Sequence, residues 1–148
     1  MEIGLSASDA LLSFSLAPLQ SRRDIAMLGV LHRVVLGLAP ADIASFFPPM
    51  THMRFPRDAR GSSLRHNKKL LDRIDGSQPA MLARSLFGLV YIYNLLPQRA
   101  VDVASVKEFQ SCLQGALKVA LRNGVDSWPA LFRSGPRSMS VEQFQGLF

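Results

Sequence analysis

The chain has 148 residues, 48% of them hydrophobic and 19% charged; that is enough apolar material for one buried core and the opposite of a disordered composition. Seventeen Lys and Arg against 11 Asp and Glu leave a net charge of +6, which favours a polyanionic partner. A single cysteine, Cys112, excludes an internal disulfide framework and a multi-cysteine zinc site, and the longest strongly apolar run, Leu86 to Leu96, is too short for a bilayer, which takes about 20 residues.

Met1-Glu2-Ile3-Gly4 lacks the basic start of a signal peptide. Ser8 or Asp9 is placed to cap a first short helix, Ala10 to Leu16, which Pro18 interrupts because proline has no N–H to donate. Leu19 to Leu38 predicts a longer helix. On a helical wheel Met27, Val30, Leu31, Val34, Val35 and Leu38 share an apolar arc, with Arg22, Ala26, Gly29 and Arg33 opposite. Asp24 lies near the start, where the helix dipole favours a negative charge, and Gly37 with Pro40 supplies the stop. A short helix, Pro40 to Phe47, follows and ends at Pro48-Pro49.

Residues 50–78 carry Arg54, Arg57, Arg60, Arg65, Lys68, Lys69 and Arg73 against three acids, Asp58, Asp72 and Asp75, and so hold +4 of the net charge. No helical period is visible before Asn67 to Ile74, and Pro56, Gly61, Ser62 and Ser63 favour a loop. Loops of this length in compact domains are usually functional or disordered. Irregularly spaced cations meet phosphates without a fixed register, and Phe55 among them is suited to stack on a base. The competing reading is a solvated stretch that keeps the protein soluble.

Pro79 suits the first turn of a helix, Ala80 to Leu96, that is apolar nearly all round and belongs in a core, although Val90-Tyr91-Ile92-Tyr93 is also compatible with a strand. Pro97 ends it. Ser105 and Glu108 form a capping-box pattern, after which Val106, Phe109, Leu113, Leu117, Ala120 and Leu121 recur at helical spacing up to Asn123-Gly124. Two short helices close the chain. One is capped by Asp126 or Ser127 and runs through Phe132; Ser134-Gly135-Pro136 separates it from Val141 to Phe148, capped by Ser140 with Gln143.

Catalytic patterns are sparse. His32, His52 and His66 have no metal-ligand spacing and read as surface or loop histidines. No phosphate-cradling glycine loop and no nucleophile elbow is present, and Cys112 sits near an apolar helix face, as an inert thiol does. Trp128, Tyr91 and Tyr93 read as core aromatics; exposed, they would mark a partner surface.

Three stretches carry a family resemblance: PLQSRRDIAMLGVLHRVVLGLAP at 18–40, ARSLFGLVYIYNLLP at 83–97 and VDVASVKEFQSCLQGAL at 101–117. Taken in order, they resemble the region downstream of the polymerase core in reverse transcriptases of LINE-type (non-LTR) retrotransposons. Arg22 and Arg23 match that region's arginine pair, and Arg84 and Ser85 its arginine-serine start. Tyr93, Asn94, Leu96 and Pro97 match its aromatic-Asn-x-L-P signature, with tyrosine where tryptophan is usual. Ser105, Phe109 and Leu113 match its closing helix. The likeness spans roughly residues 16–121. DNA synthesis in that family uses an aspartate pair in a Tyr-x-Asp-Asp setting, which Tyr91-Ile92-Tyr93-Asn94 does not supply. The resemblance therefore implies a non-catalytic tail that packs on a polymerase and helps hold RNA or DNA, within the nucleus or cytoplasm. Arg22 and Arg23, badly placed for the dipole of their helix, call for phosphates or for ion pairs with Asp24, Asp102 or Glu108. Asn94 is expected to satisfy carbonyls at the end of its helix.

The expected fold is all-α: a small irregular helical bundle with a long basic loop, built on helices 19–38, 80–96 and 105–122. Residues 1–124 form the module with its basic loop at 50–78, and 125–148 a short helical tail. The expected function is non-enzymatic nucleic-acid binding through Arg54, Arg57, Arg60, Arg65, Lys68, Lys69 and Arg73, with no cofactor, metal or membrane. The alternatives are a protein-interaction module that packs on a polymerase or another partner, and a relic fragment without selected function. Composition does not set the oligomeric state.

Overall fold

The computed structural model describes residues 17–50, 66–72 and 85–148, with backbone alone for 134–137. The expected helix Ala10 to Leu16 lies outside these residues, as do His52, Phe55, Arg54, Arg57, Arg60, Arg65, Arg73 and Arg84.

The fold is all-α. Among the described residues its helices are α1 (Leu19–Val35), α2 (Ala41–Ala44), α3 (Val90–Leu95) with a preceding 3-10 turn (Leu86–Leu89), α4 (Gln98–Val101), α5 (Val106–Arg122), α6 (Leu131–Ser138) after a 3-10 turn (Trp128–Ala130), and α7 (Val141–Gln145). Among the described residues the only extended pairing is an isolated antiparallel bridge between Pro49 and Leu70.

Local chemistry explains the boundaries of the two long helices. Ser105 Oγ accepts from the Glu108 N–H and so fills one of the donors left open at the start of α5. Both long helices end in the same way: Gly37 and Gly124 take φ of +73° and +71°. The N–H groups of Gly37 and Leu38 then return to the carbonyls of Val34 and Arg33 in α1, and those of Gly124 and Val125 to the carbonyls of Leu121 and Ala120 in α5. That left-handed step is one glycine takes without steric cost.

α1 and α5 form the central pair, and α3 with its 3-10 turn packs against α1. Phe109, Leu113, Leu117 and Ala120 face inward from α5, as its periodicity predicts, joined by Ala116, while Val106 and Leu121 of the expected set are half-buried. α1 differs from expectation. It buries Ser21, Asp24, Ile25, Leu28, Gly29, Leu31 and His32, while Val30 and Leu38 of the expected apolar arc are exposed. The buried face is turned by roughly a quarter of a revolution from that arc. The reason is that α1 turns polar groups inward to distant partners: the Ser21 hydroxyl donates to the Pro129 carbonyl at 2.6 Å, and Asp24 pairs with Arg133. Gly29, expected on the outer side, lies directly under the Gln110 amide of α5.

Other boundaries also shift. α1 stops at Val35 instead of Leu38, and the described part of the expected helix 80–96 is the 3-10 turn followed by the six residues of α3. α4, directly after Pro97, was not foreseen. Ser134-Gly135-Pro136 does not separate two helices, since α6 runs through it. Ser140 and Gln143 complete a reciprocal capping box at α7. Residues 125–148 contribute Leu131, Phe132, Phe144 and Leu147 to the same core as α1, α3 and α5. Arg99 Nη2 and Nε hold the carbonyls of Gln145 and Phe148, and Gln145 Nε2 reaches back to the Leu95 carbonyl.

Candidate functional site

Only Met50 and residues 66–72 of the basic stretch 50–78 are among the described residues. Residues 66–72 return to the core, with His66 and Leu70 buried, and no helix forms over the described part of Asn67 to Ile74. The Met50 N–H donates to the Lys69 carbonyl and the Leu71 N–H to the Pro48 carbonyl, each at 2.9 Å. In this antiparallel arrangement the N–H and C=O of Leu70 point away from Pro49, which has no N–H to offer. Asn94 takes both. Its Oδ1 accepts from the Leu70 N–H at 2.9 Å, and its Nδ2 donates to the Leu70 carbonyl at 2.8 Å. The side-chain amide thus behaves as one more peptide group laid along the return segment. Asn94 was expected to satisfy carbonyls of its own helix; it satisfies the backbone of residue 70 instead, because that segment lies beside α3.

Three neighbours of Leu70 are fastened in the same way. His66 Nδ1 accepts from the Lys68 N–H at 3.0 Å, so the ring proton sits on Nε2 and is donated to the Tyr93 carbonyl at 2.8 Å. Asn67 exchanges two hydrogen bonds with the Gln98 side chain, both at 2.9 Å. Lys68 Nζ donates to the Val101 carbonyl at 2.9 Å and stands 3.6 Å from Asp102. A cation at the C-terminus of α4 suits the helix dipole. Lys68, expected to meet phosphates, is therefore engaged with the core, and Lys69 is half-buried beside it.

Tyr93 lies at the centre, 0% exposed. Its hydroxyl donates to His32 Nδ1 at 3.0 Å, while His32 Nε2–H donates to the Val103 carbonyl at 2.9 Å. His32 also stacks on Phe109 with ring centroids 4.3 Å apart. Burial pushes the Tyr93 phenol up, which keeps it a donor. Burial likewise pushes both histidines below the ordinary 6.5, although each gains a backbone carbonyl partner; nearby lysines add to the fall. His32 and His66 are thus not the surface or loop histidines their sequence setting suggests. Both are neutral core groups with fixed tautomers.

That assignment has a thermodynamic consequence. Below pH 6.5 the unfolded chain binds protons that the folded chain refuses, so stability is full above this value and falls as pH decreases. Asp24 acts oppositely: burial raises its carboxyl from 3.8, which favours the folded state at lower pH. We expect the urea midpoint to be flat above pH 7 and to fall between pH 6.5 and 5, with a limiting slope of about 1.4 kcal/mol per pH unit for each histidine. A His66→Gln variant should lose about half of the fall, and a midpoint that stays level over this range would contradict the buried neutral assignment.

The remaining motif residues divide by burial. Leu96, Pro97, Phe109 and Leu113 are core positions, and Ser85 precedes the 3-10 turn at Leu86. Arg22 and Arg23 are exposed, and among the described residues neither forms the ion pair with Asp24, Asp102 or Glu108 considered above. Asp24 instead accepts from Arg133 Nε at 2.8 Å and from Gln20 Nε2 at 3.0 Å through Oδ1. Trp128 and Cys112 are half-buried and Tyr91 is exposed. Among the described residues no three His, Cys, Asp or Glu side chains are grouped to hold a metal ion, and no helix is long and apolar enough to cross a membrane. His66, Asn67 and Gln98 were not foreseen as parts of the site; the apolar pair Leu70-Leu71 inside a basic stretch was the available signal. Searches against protein-family models, curated proteins and solved structures return no match for the chain.

Proposed function

We propose that the chain is a non-catalytic helical module of the kind that follows the polymerase core in LINE-type retrotransposon reverse transcriptases, and that its basic stretch holds RNA or DNA by the phosphates. The observation that carries this reading is the double hydrogen bond from Asn94 to Leu70. Tyr93 and Asn94, the first two positions of the signature that carries the resemblance, are the residues that anchor the return of the most basic segment onto the core. The side chains best suited to acid–base chemistry, His32, His66 and Tyr93, have their ring nitrogens and hydroxyl committed to structural bonds. This supports a scaffold that presents charge over one that performs a reaction.

Anchoring both ends of a charged segment lowers the entropy lost when it meets a polyanion. The test is fluorescence anisotropy with labelled single-stranded RNA and duplex DNA over a salt series. Wild-type affinity should fall steeply with salt. Replacing Arg54, Arg57, Arg60 and Arg65 with glutamine should flatten the salt slope by about 0.7 per lost contact on a single strand. Asn94→Ala removes no charge, yet should weaken binding by freeing the return segment. Absence of binding at low salt, or affinity indifferent to the four arginines, would overturn the proposal.

A further inference from the structure

We propose that the outer face of the α1–α5 pair is a docking surface for a nucleic-acid duplex, with Arg22, Arg33, Lys107 and Lys118 meeting its phosphates. The inference rests on the nucleic-acid reading above but not on the basic stretch, because all four residues lie on described helices. Arg22, Arg33 and Lys107 are exposed and Lys118 is half-buried. Among the described residues none of the four enters an ion pair or a side-chain hydrogen bond. The acids of the two helices are Asp24 and Glu108. Asp24 is buried and held by Arg133, and Glu108 lies about 160° round α5 from Gln110, away from this face.

Contacts along the two helices fix their register. Near the start of α1 the Ser21 hydroxyl reaches the Pro129 carbonyl, beyond the end of α5. Near the end of α1 His32 reaches the Val103 carbonyl, before the start of α5. The pair is therefore antiparallel. Between these ends Gly29 lies under the Gln110 amide, and His32 stacks on Phe109 at 4.3 Å. One turn on from Gly29 stands Arg33, and one turn back from Gln110 stands Lys107. Two turns the other way stand Arg22 and Lys118. Measured from Gly29 and Gln110, all four cations are rotated by about 20–80° in one sense, whereas Leu28 and Phe109 are rotated by about 100° in the other and enter the core. In an antiparallel pair, one sense of rotation on both helices leads to one side. Arg22 thus stands across from Lys118, and Arg33 across from Lys107, on the side away from the core.

The face selects its occupant. Like charges set side by side with no acid between them repel, and a bridging phosphate removes that repulsion. Arg22 and Arg33, like Lys107 and Lys118, stand about 16 Å apart along their helices. Two cation pairs at that spacing reach both phosphate walls of a groove about 12 Å wide. Between the pairs lie Ala26, Gln110, Ser111 and Gln114, so the middle of the face is small or hydrogen-bonding. These four supply no aromatic ring to stack an unpaired base, which single-strand sites use. Nor do they supply a large apolar anchor for an acidic protein or for lipid. The backbone of a duplex needs neither.

The test is fluorescence anisotropy with a labelled DNA duplex over a salt series. Replacing Arg22, Arg33, Lys107 and Lys118 together with glutamine should flatten the salt slope by about 0.9 per lost contact, or by about 3–4 in all. The urea midpoint of that variant should match or exceed that of wild type, since it loses repulsion and no ion pair. Gln110→Glu, which sets a carboxylate between the two pairs, should weaken duplex binding at least as much as Arg33→Gln does. Wild-type duplex affinity in the fourfold variant or in Gln110→Glu would overturn the docking surface. An equal loss toward single-stranded DNA, phosphatidylserine vesicles or polyglutamate would overturn the duplex as its occupant. Duplex binding lost only on replacing Arg54, Arg57, Arg60 and Arg65, or a wild type that binds single-stranded RNA but no duplex, would overturn the surface and leave the basic stretch as the binding element. Duplex binding lost only in the fourfold variant would support the surface and count against the basic stretch.

Discussion

Replacing Tyr93 with alanine is expected to lower the unfolding free energy by about 3–5 kcal/mol, the range for emptying a buried aromatic site. Tyr93 is 0% exposed and its ring contacts those of His32, His66 and Phe109, so the vacated space borders three elements that cannot all move in to fill it. Tyr93→Phe isolates one part of the loss. It deletes only the hydroxyl and leaves His32 Nδ1 as a buried acceptor without its donor, at a cost of about 1–3 kcal/mol. The His66 bond survives in both variants because it goes to the main-chain carbonyl of residue 93. Urea denaturation of the two variants separates packing from hydrogen bonding. A loss below about 1 kcal/mol in the alanine variant would contradict the central position of the ring.

Arg133→Met is the second large effect, expected to cost about 3–5 kcal/mol near neutral pH. Asp24 is 0% exposed at its side chain against 21% for Arg133, and among the described residues its Oδ2 has no hydrogen-bond partner. Without the guanidinium, the carboxylate retains only the Gln20 amide. Loss of one partner strands a buried charge, which is worse than loss of both. Asp24→Leu combined with Arg133→Met should therefore recover most of the stability. Because burial already raises the Asp24 carboxyl above its ordinary 3.8 and loss of the guanidinium raises it further, the penalty in the single variant should shrink as pH falls, and do so before 3.8 is reached, as the buried acid becomes neutral. A penalty independent of pH would show that Arg133 acts through its packing instead.

Much of the fold was legible where the signals are local. The start of α5 at Ser105, its inward face from Phe109 to Ala120 and its stop at Gly124 depend on residues within a few positions of one another. The capping box of α7 is legible for the same reason. The orientation of α1 was not, because hydropathy counts the polar Ser21, Asp24 and His32 against burial. Their partners are Pro129, Arg133, Tyr93 and Val103, between 61 and 109 residues away. His66 was hidden by its basic surroundings, which suit a solvated loop as well as they suit a capped helix end. Asn94 was singled out for the right property, a polar amide next to an apolar helix end, but with the wrong partner. A neighbouring segment distant in sequence reached it before its own helix did.

The bridge at Pro49 and Leu70 also limits how this chain tolerates insertion and deletion. Side chains along an extended segment alternate between faces, so sliding the return segment by one residue would present Lys69 or Leu71 where Leu70 now enters the core. Two main-chain bonds alone are too few to choose among such frames; the leucine side chain and the Asn94 amide together make the choice. Length variation is therefore poorly tolerated within the five residues His66 to Leu70, where one missing residue would drive a lysine ammonium toward an apolar interior.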